Sequence, residues 1–165
     1  MITVELTDRE IRIARAVGRL RTIDSRAAHL NDQKYGSVAD QTKADVNGCL
    51  GEMAAAKALN RYWRGMGTDY KHDTDIGHEE VRMTGYPQGR LIIRPTDAEK
   101  PCIDKPWILV VQDSLSCYRL PGWIIGRDGL QPQYLAAPSG RPEAYFVPQS
   151  ALRSFPILIN QRCYA

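Results

Sequence analysis

Asp73-Thr74-Asp75-Ile76-Gly77-His78-Glu79-Glu80-Val81-Arg82-Met83-Thr84 is the stretch from which the rest of the chain can be read. A glycine-containing break divides it, and its second half alternates, so it reads as a strand, a tight turn and a strand. From Asp69 to Glu80 there are five acids in twelve positions: Asp69, Asp73, Asp75, Glu79 and Glu80. Carboxylates this dense repel one another. They either project into water or gather a hard cation, which takes oxygen ligands from one or two carboxylates, phosphate and water. Along the second strand, period two puts Glu80, Arg82 and Thr84 on one face and Val81 in the opposite layer. An acid able to hold Mg²⁺ and a cation able to touch a phosphate then stand side by side, with Asp75 brought near by the turn. Thr84 adds a hydroxyl to the same face.

Upstream of this stretch the apolar period is 3.6. Thr7 or Asp8 can cap a helix carrying Ile11, Ala14, Val17 and Leu20 at helical spacing. Arg12, Arg15, Arg19 and Arg26 line one edge of that helix. They form either a solvated face balanced by Glu5, Asp8, Glu10 and Asp24, or a stripe that tracks phosphates. Gln33 to Asp40 reads as a loop. A second helix is expected from about Thr42 to Trp63, with Val46, Cys49, Leu50, Met53, Ala56, Leu59 and Trp63 as its apolar stripe. Glu52 stands out on it, because Gly48, Gly51, Ala55 and Ala56 are too small to cover it. Such neighbours let a backbone, a metal or a phosphate approach the carboxylate; the plainer alternative is an exposed glutamate paired with Lys57 or Lys43.

Downstream the pattern stays extended. Arg90-Leu91-Ile92-Ile93-Arg94-Pro95 is a strand with a proline stop. Its arginines share a face by even spacing, either to extend a positive surface toward a nucleic-acid backbone or to keep a sheet edge from pairing. Trp107 to Gln112 is a continuous apolar run, hence a strand covered on both faces. Tyr118 to Gly126 is another strand, and Tyr145 to Leu152 a short strand followed by one helical turn. The sequence therefore predicts an α+β layer with N-terminal helices packed on one side of a sheet, in a single domain spanning residues 1–165.

Composition narrows the classes. Of the 22 cations, 16 are arginine, a bias toward forked recognition of phosphate or carboxylate, within a formal net charge of only +3. No run of about 18 apolar residues and no signal-peptide pattern is present, so a soluble, cytoplasmic protein without a membrane partner is expected. The four cysteines include no Cys-x-x-Cys, and the histidines no metal spacing.

Asp75, then Glu80-Val81-Arg82 on a strand, after a helix bearing Leu50-Gly51-Glu52, resembles the PD-(D/E)XK nuclease superfamily. It is particularly similar to small phage and prophage members of that restriction-endonuclease-like fold. The likeness continues through Gly122-Trp123-Ile124-Ile125-Gly126 to Tyr145-Phe146-Val147-Pro148. The resemblance implies a mixed sheet in an αβββαβ core and hydrolysis of DNA with Mg²⁺ or Mn²⁺. It implies Asp75, Glu80 and the Val81 carbonyl as metal ligands, Glu52 touching the metal through water, and a homodimer. Catalysis would then rest on Glu52, Asp75, Glu80 and Arg82, and nucleic-acid contacts on Arg12, Arg15, Arg19, Thr84, Arg90 and Arg94. Two departures matter. The step from Asp75 to Glu80 is short, which leaves Asp73 or Asp69 as rival first acids. Arg82 also replaces the superfamily's lysine and cannot act as a base, so Lys71 or another residue would have to.

Overall fold

Thr7 opens the first helix by a reciprocal cap. Its backbone N–H donates to Glu10 Oε2 at 2.7 Å, while the Glu10 N–H donates back to Thr7 Oγ1 at 3.3 Å. The computed structural model describes residues 1–27, 41–65, 74–138 and 142–156. The loop expected at 33–40, together with Asp69, Lys71 and Asp73, lies outside the described residues. Helix α1 (Asp8–Ala27) follows a short strand β1 (Ile2–Glu5), whose four alternating residues are too few to stand out in the sequence. Ile11, Ala14, Gly18 and Thr22 form its buried face. Leu20, expected in the core, is instead 57% exposed, because the contact with the next helix runs through Gly18.

Gly18 is a close-approach glycine. A β-carbon there would fall 2.5 Å from the Val46 Cα, a backbone atom of helix α2 (Gln41–Ala58). Gly18→Ala is expected to push the helices apart at a cost of about 1–3 kcal/mol, read as a lower urea midpoint with an unchanged m-value. A wild-type midpoint would show that the helices do not meet there. Helix α2 ends five residues before the expected Trp63. Asn60 turns left-handed at φ +52°, its N–H donates to the Lys57 carbonyl, and the Arg61 N–H donates to the Ala56 carbonyl at 2.8 Å. These two bonds satisfy the Lys57 and Ala56 carbonyls, and asparagine tolerates that backbone conformation better than most residues.

The main sheet contains β1, β2 (Glu80–Thr84), β4 (Pro106–Gln112) and β5 (Cys117–Ile125), in the order β1-β5-β4-β2. It is mixed, since β2 runs parallel to β4 and the other pairs are antiparallel. Strand β4 is buried on both faces, as its apolar run requires. Ile108 and Val110 join the core under α1 and α2, while Trp107, Leu109 and Val111 join a second core. That second core adds, on the face away from the helices, a layer beyond the helix-covered sheet expected from sequence. It is roofed by a further antiparallel sheet of β3 (Leu91–Ile93), β6 (Leu135–Ala136) and β7 (Ala144–Val147), in the order β3-β7-β6. The protein is thus α+β, with helices on one face of a mixed sheet and a small sheet on the other.

The connection between parallel β2 and β4, where an α-helix usually crosses, consists of β3 and two short 3₁₀ turns, Pro95–Glu99 and Pro101–Asp104. Pro95, Pro101 and Pro106 leave no stretch long enough for a helix. The expected strand before the glycine turn is also shorter than its sequence pattern. Ile76 and Glu79 form a single bridge around Gly77, which adopts φ +49°, and only Glu80–Thr84 is a strand. No described helix is long and apolar enough to cross a membrane.

Candidate functional site

The two-residue turn makes the short step from Asp75 to Glu80 workable. Ile76 and Glu79 exchange backbone hydrogen bonds at 3.1 and 2.7 Å, and Ile76 is anchored in the helix-side core. Asp75 is thereby folded back alongside β2, where its Oδ2 accepts the Val81 N–H at 2.8 Å. Strand β2 is an edge of the main sheet, and Val81 gives both of its backbone polar groups to side chains on the open side. Its carbonyl accepts from Arg82 Nη1 at 3.1 Å. The same Nη1 stands 3.3 Å from Glu80 Oε2 and 3.8 Å from Asp75 Oδ2. The three oxygens that the resemblance implies as metal ligands therefore converge on one point, and a guanidinium nitrogen holds it.

Arg82 is itself tightly held. Its guanidinium carbon lies 4.4 Å from the centre of the Trp107 ring, and its Nη2 stands 3.7 Å from Asp97 Oδ2. Asp97, fully buried, escaped the sequence reading. Its signal was the Arg94-Pro95-Thr96-Asp97 cap, in which Asp97 accepts the Arg94 N–H at 2.9 Å and meets Lys100 Nζ at 2.6 Å. Burial raises the Asp97 carboxyl, but Arg82, Lys100 and the Arg94 N–H outweigh it, and the group ends below the usual carboxylate range. Asp75 goes the other way. Burial, then the charges of Glu80 and Glu52, push it up to about 8, against the opposing pull of Arg82 and the Val81 N–H. Cys102 borders the cluster, its thiol pushed up to about 11 by burial and by Glu80.

Glu52 is neither exposed nor paired with Lys57 or Lys43. It is 5% exposed and grips Arg21 of α1 with both oxygens, at 2.6 and 2.8 Å, while Oε2 also accepts Trp63 Nε1–H at 2.9 Å. Lys57 instead reaches Glu10 at 2.8 Å. Gly51 serves packing: a β-carbon on it would sit 2.7 Å from the Met83 Cβ, so its smallness lets α2 lie close on β2. Glu52 is paired to Arg21, and Asp97 has Lys100 as well as Arg82, whereas Asp75 and Glu80 both face the same Arg82 Nη1.

Thr84, Arg90 and Arg94, expected at a nucleic-acid surface, do come together with Arg82. They line one groove of about 510 Å³ with Tyr86, Gln88, Ile92 and Phe146, between β2 and the edge strand β3 of the small sheet. Even spacing on β3 sends Leu91 and Ile93 into the core and leaves Arg90, Ile92 and Arg94 for the groove. Arg12, Arg15 and Arg19 are not part of it. They are exposed on α1, which packs on the opposite face of the main sheet, and form a separate basic strip.

Two carboxylates and a carbonyl are hard donors of the kind Mg²⁺ and Mn²⁺ take, usually with water and phosphate completing the shell. The donor types suit such an ion, and in this structure Arg82 Nη1 occupies the point on which they converge. Among the described residues no group of three His, Cys, Asp or Glu side chains is placed to hold a metal. Comparison with protein-family models, curated proteins and solved structures finds no match to this chain.

Proposed function

We propose that the chain is a Mg²⁺- or Mn²⁺-dependent phosphodiesterase acting on DNA, built on a PD-(D/E)XK-like core with Arg82 in the lysine's place. One observation carries this reading: Asp75 Oδ2, Glu80 Oε2 and the Val81 carbonyl all lie within 3.1 to 3.8 Å of a single cationic nitrogen at the inner end of an arginine-lined groove. The parallel β2 and β4 and the buried helix acid Glu52 accord with the resemblance. Glu52, held by Arg21 and Trp63, contributes negative potential from behind rather than a free ligand oxygen.

When bound, the divalent ion supplies Lewis acidity toward a phosphoryl oxygen and lowers the pKa of water. Asp75, Glu80 and the Val81 carbonyl would hold it. Arg82, drawn off the acids by a phosphodiester in the groove, keeps its charge at every working pH and would steady the negative charge on the phosphoryl oxygens. It takes no proton from water. The Thr84 hydroxyl accepts the Tyr86 N–H at 3.2 Å, which leaves its own proton for a phosphate oxygen.

A second reading rests on the same nitrogen. If Arg82 stays where Trp107 and Asp97 hold it, the guanidinium is a resident cation and the protein binds nucleic acid without cutting it. Calorimetric titration with Mn²⁺ separates the two. The phosphodiesterase reading expects heat from the wild type, none from Glu80→Ala, and at least about tenfold tighter binding by Arg82→Ala, which removes a positive charge from the ion's own position. Silent titrations of both wild type and Arg82→Ala would leave only the second reading.

A further inference from the structure

The turn between β2 and β3 carries an aromatic ring with no evident structural task. Tyr86 is 78% exposed at the rim of the groove, while Arg82, only 27% exposed through its side chain, lies at the inner end. The turn beneath Tyr86 is firmly pinned. Gln149 Nε2 donates to the carbonyls of Pro87 and Gly89, each at 2.9 Å, and Arg119 donates to the Pro87 carbonyl as well. The Gly89 N–H closes the turn on the Tyr86 carbonyl at 2.8 Å. A pinned backbone thus presents a stiff aromatic ring in one place, and stacking on it costs little ordering entropy.

We infer that the groove takes a single strand of DNA, with a base stacked on Tyr86 and the adjoining phosphates on Arg90, Arg94 and Arg82. The inference rests on the phosphodiester reading above and adds the strandedness of the substrate. The argument is one of access. In a duplex the base faces are covered by neighbouring pairs, so an exposed tyrosine finds one only at an end, and a stiff paired backbone cannot dip from the rim to the inner arginine. A single strand offers every base a free face and bends into the groove. An aromatic platform beside a positive track is the arrangement such strands use. Phe146 adds apolar surface to the groove wall.

Fluorescence anisotropy with labelled oligo-dT, the corresponding duplex and oligo-rU, in chelator so that nothing is cut, tests this on the full chain. The expected result is at least about tenfold tighter binding of oligo-dT than of duplex. Tyr86→Ala should lose about five- to hundredfold affinity for oligo-dT, Tyr86→Phe should bind as wild type does, and duplex binding should not change. Arg90→Ala should lower the slope of log affinity against log salt by about 0.7. Equal affinity for single strand and duplex, an unaffected Tyr86→Ala variant, or an unchanged salt slope would overturn the inference. Tighter binding of oligo-rU would overturn DNA as the strand. Because no metal is present, failure here is separate from failure of the hydrolytic reading, which Mn²⁺ titration and cleavage decide.

Discussion

Glu80→Gln is expected to lower Mg²⁺-dependent cleavage of single-stranded or plasmid DNA by about a thousandfold, equivalent to about 4 kcal/mol of barrier, with no loss of thermal stability. Glu80 Oε2 is one of the three oxygens around the proposed metal point, and the amide keeps its shape without its charge. Stability should hold or rise, because the cluster is repulsive in the folded protein. Asp75, Glu80 and Asp97 all stand around one guanidinium, and the charge of Glu80 is among the causes that push Asp75 up to about 8. Removing it relieves Asp75 and leaves the Arg82 contacts to Asp97 and Trp107 in place. Lost activity with an unaltered or higher melting temperature is the signature of charge stored for function. Cleavage at the wild-type rate by this variant would sink the assignment of the site.

Arg21→Ala should be the most damaging of the side-chain truncations considered, at about 3 kcal/mol, or roughly 6–12 °C in melting temperature. The variant leaves Glu52 buried with Trp63 as its remaining partner, and an uncompensated buried carboxylate is what makes a broken pair expensive. The lower end of the usual range applies because the Arg21 side chain is 22% exposed. Arg21→Met combined with Glu52→Met should recover most of the loss, since two apolar groups of similar size need no pairing. Heat and urea unfolding of both variants provide the check. A cost below about 1 kcal/mol for Arg21→Ala would mean that the bidentate pair is not formed in solution.

The two roles separate the acids in a way sequence reasoning could not. Glu52 read as an acid among small residues and Glu80 as one of a dense acidic run, and both were expected at the metal; yet one is clamped by an arginine from another helix and the other faces the same cation as Asp75. Arg21 lay in plain view on α1, but its distance of 31 positions from Glu52 hid the pairing. Asp97 was missed because its cap forms a 3₁₀ turn after a proline rather than an α-helix, and only the fold brings it to Arg82. The extra strand of the main sheet, β1, was too short to be distinguished from an unstructured terminus.

Local rules written in consecutive residues were legible from the chain alone: a helix start at Thr7 or Asp8, the tight turn at Gly77, the two-sided burial of β4, and the common face of Glu80, Arg82 and Thr84. Each depends on periodicity or on hydrogen bonds spanning a few positions, which the order of residues fixes directly. Tertiary structure alone decided that the main sheet is roofed by a second one, that the Arg12–Arg15–Arg19 strip lies apart from the Arg90–Arg94 groove, and that Arg82 stands at the meeting point of three oxygens. Those outcomes depend on which distant surfaces bury one another and on how charges are shared once water has been excluded, and no spacing along a single segment encodes either.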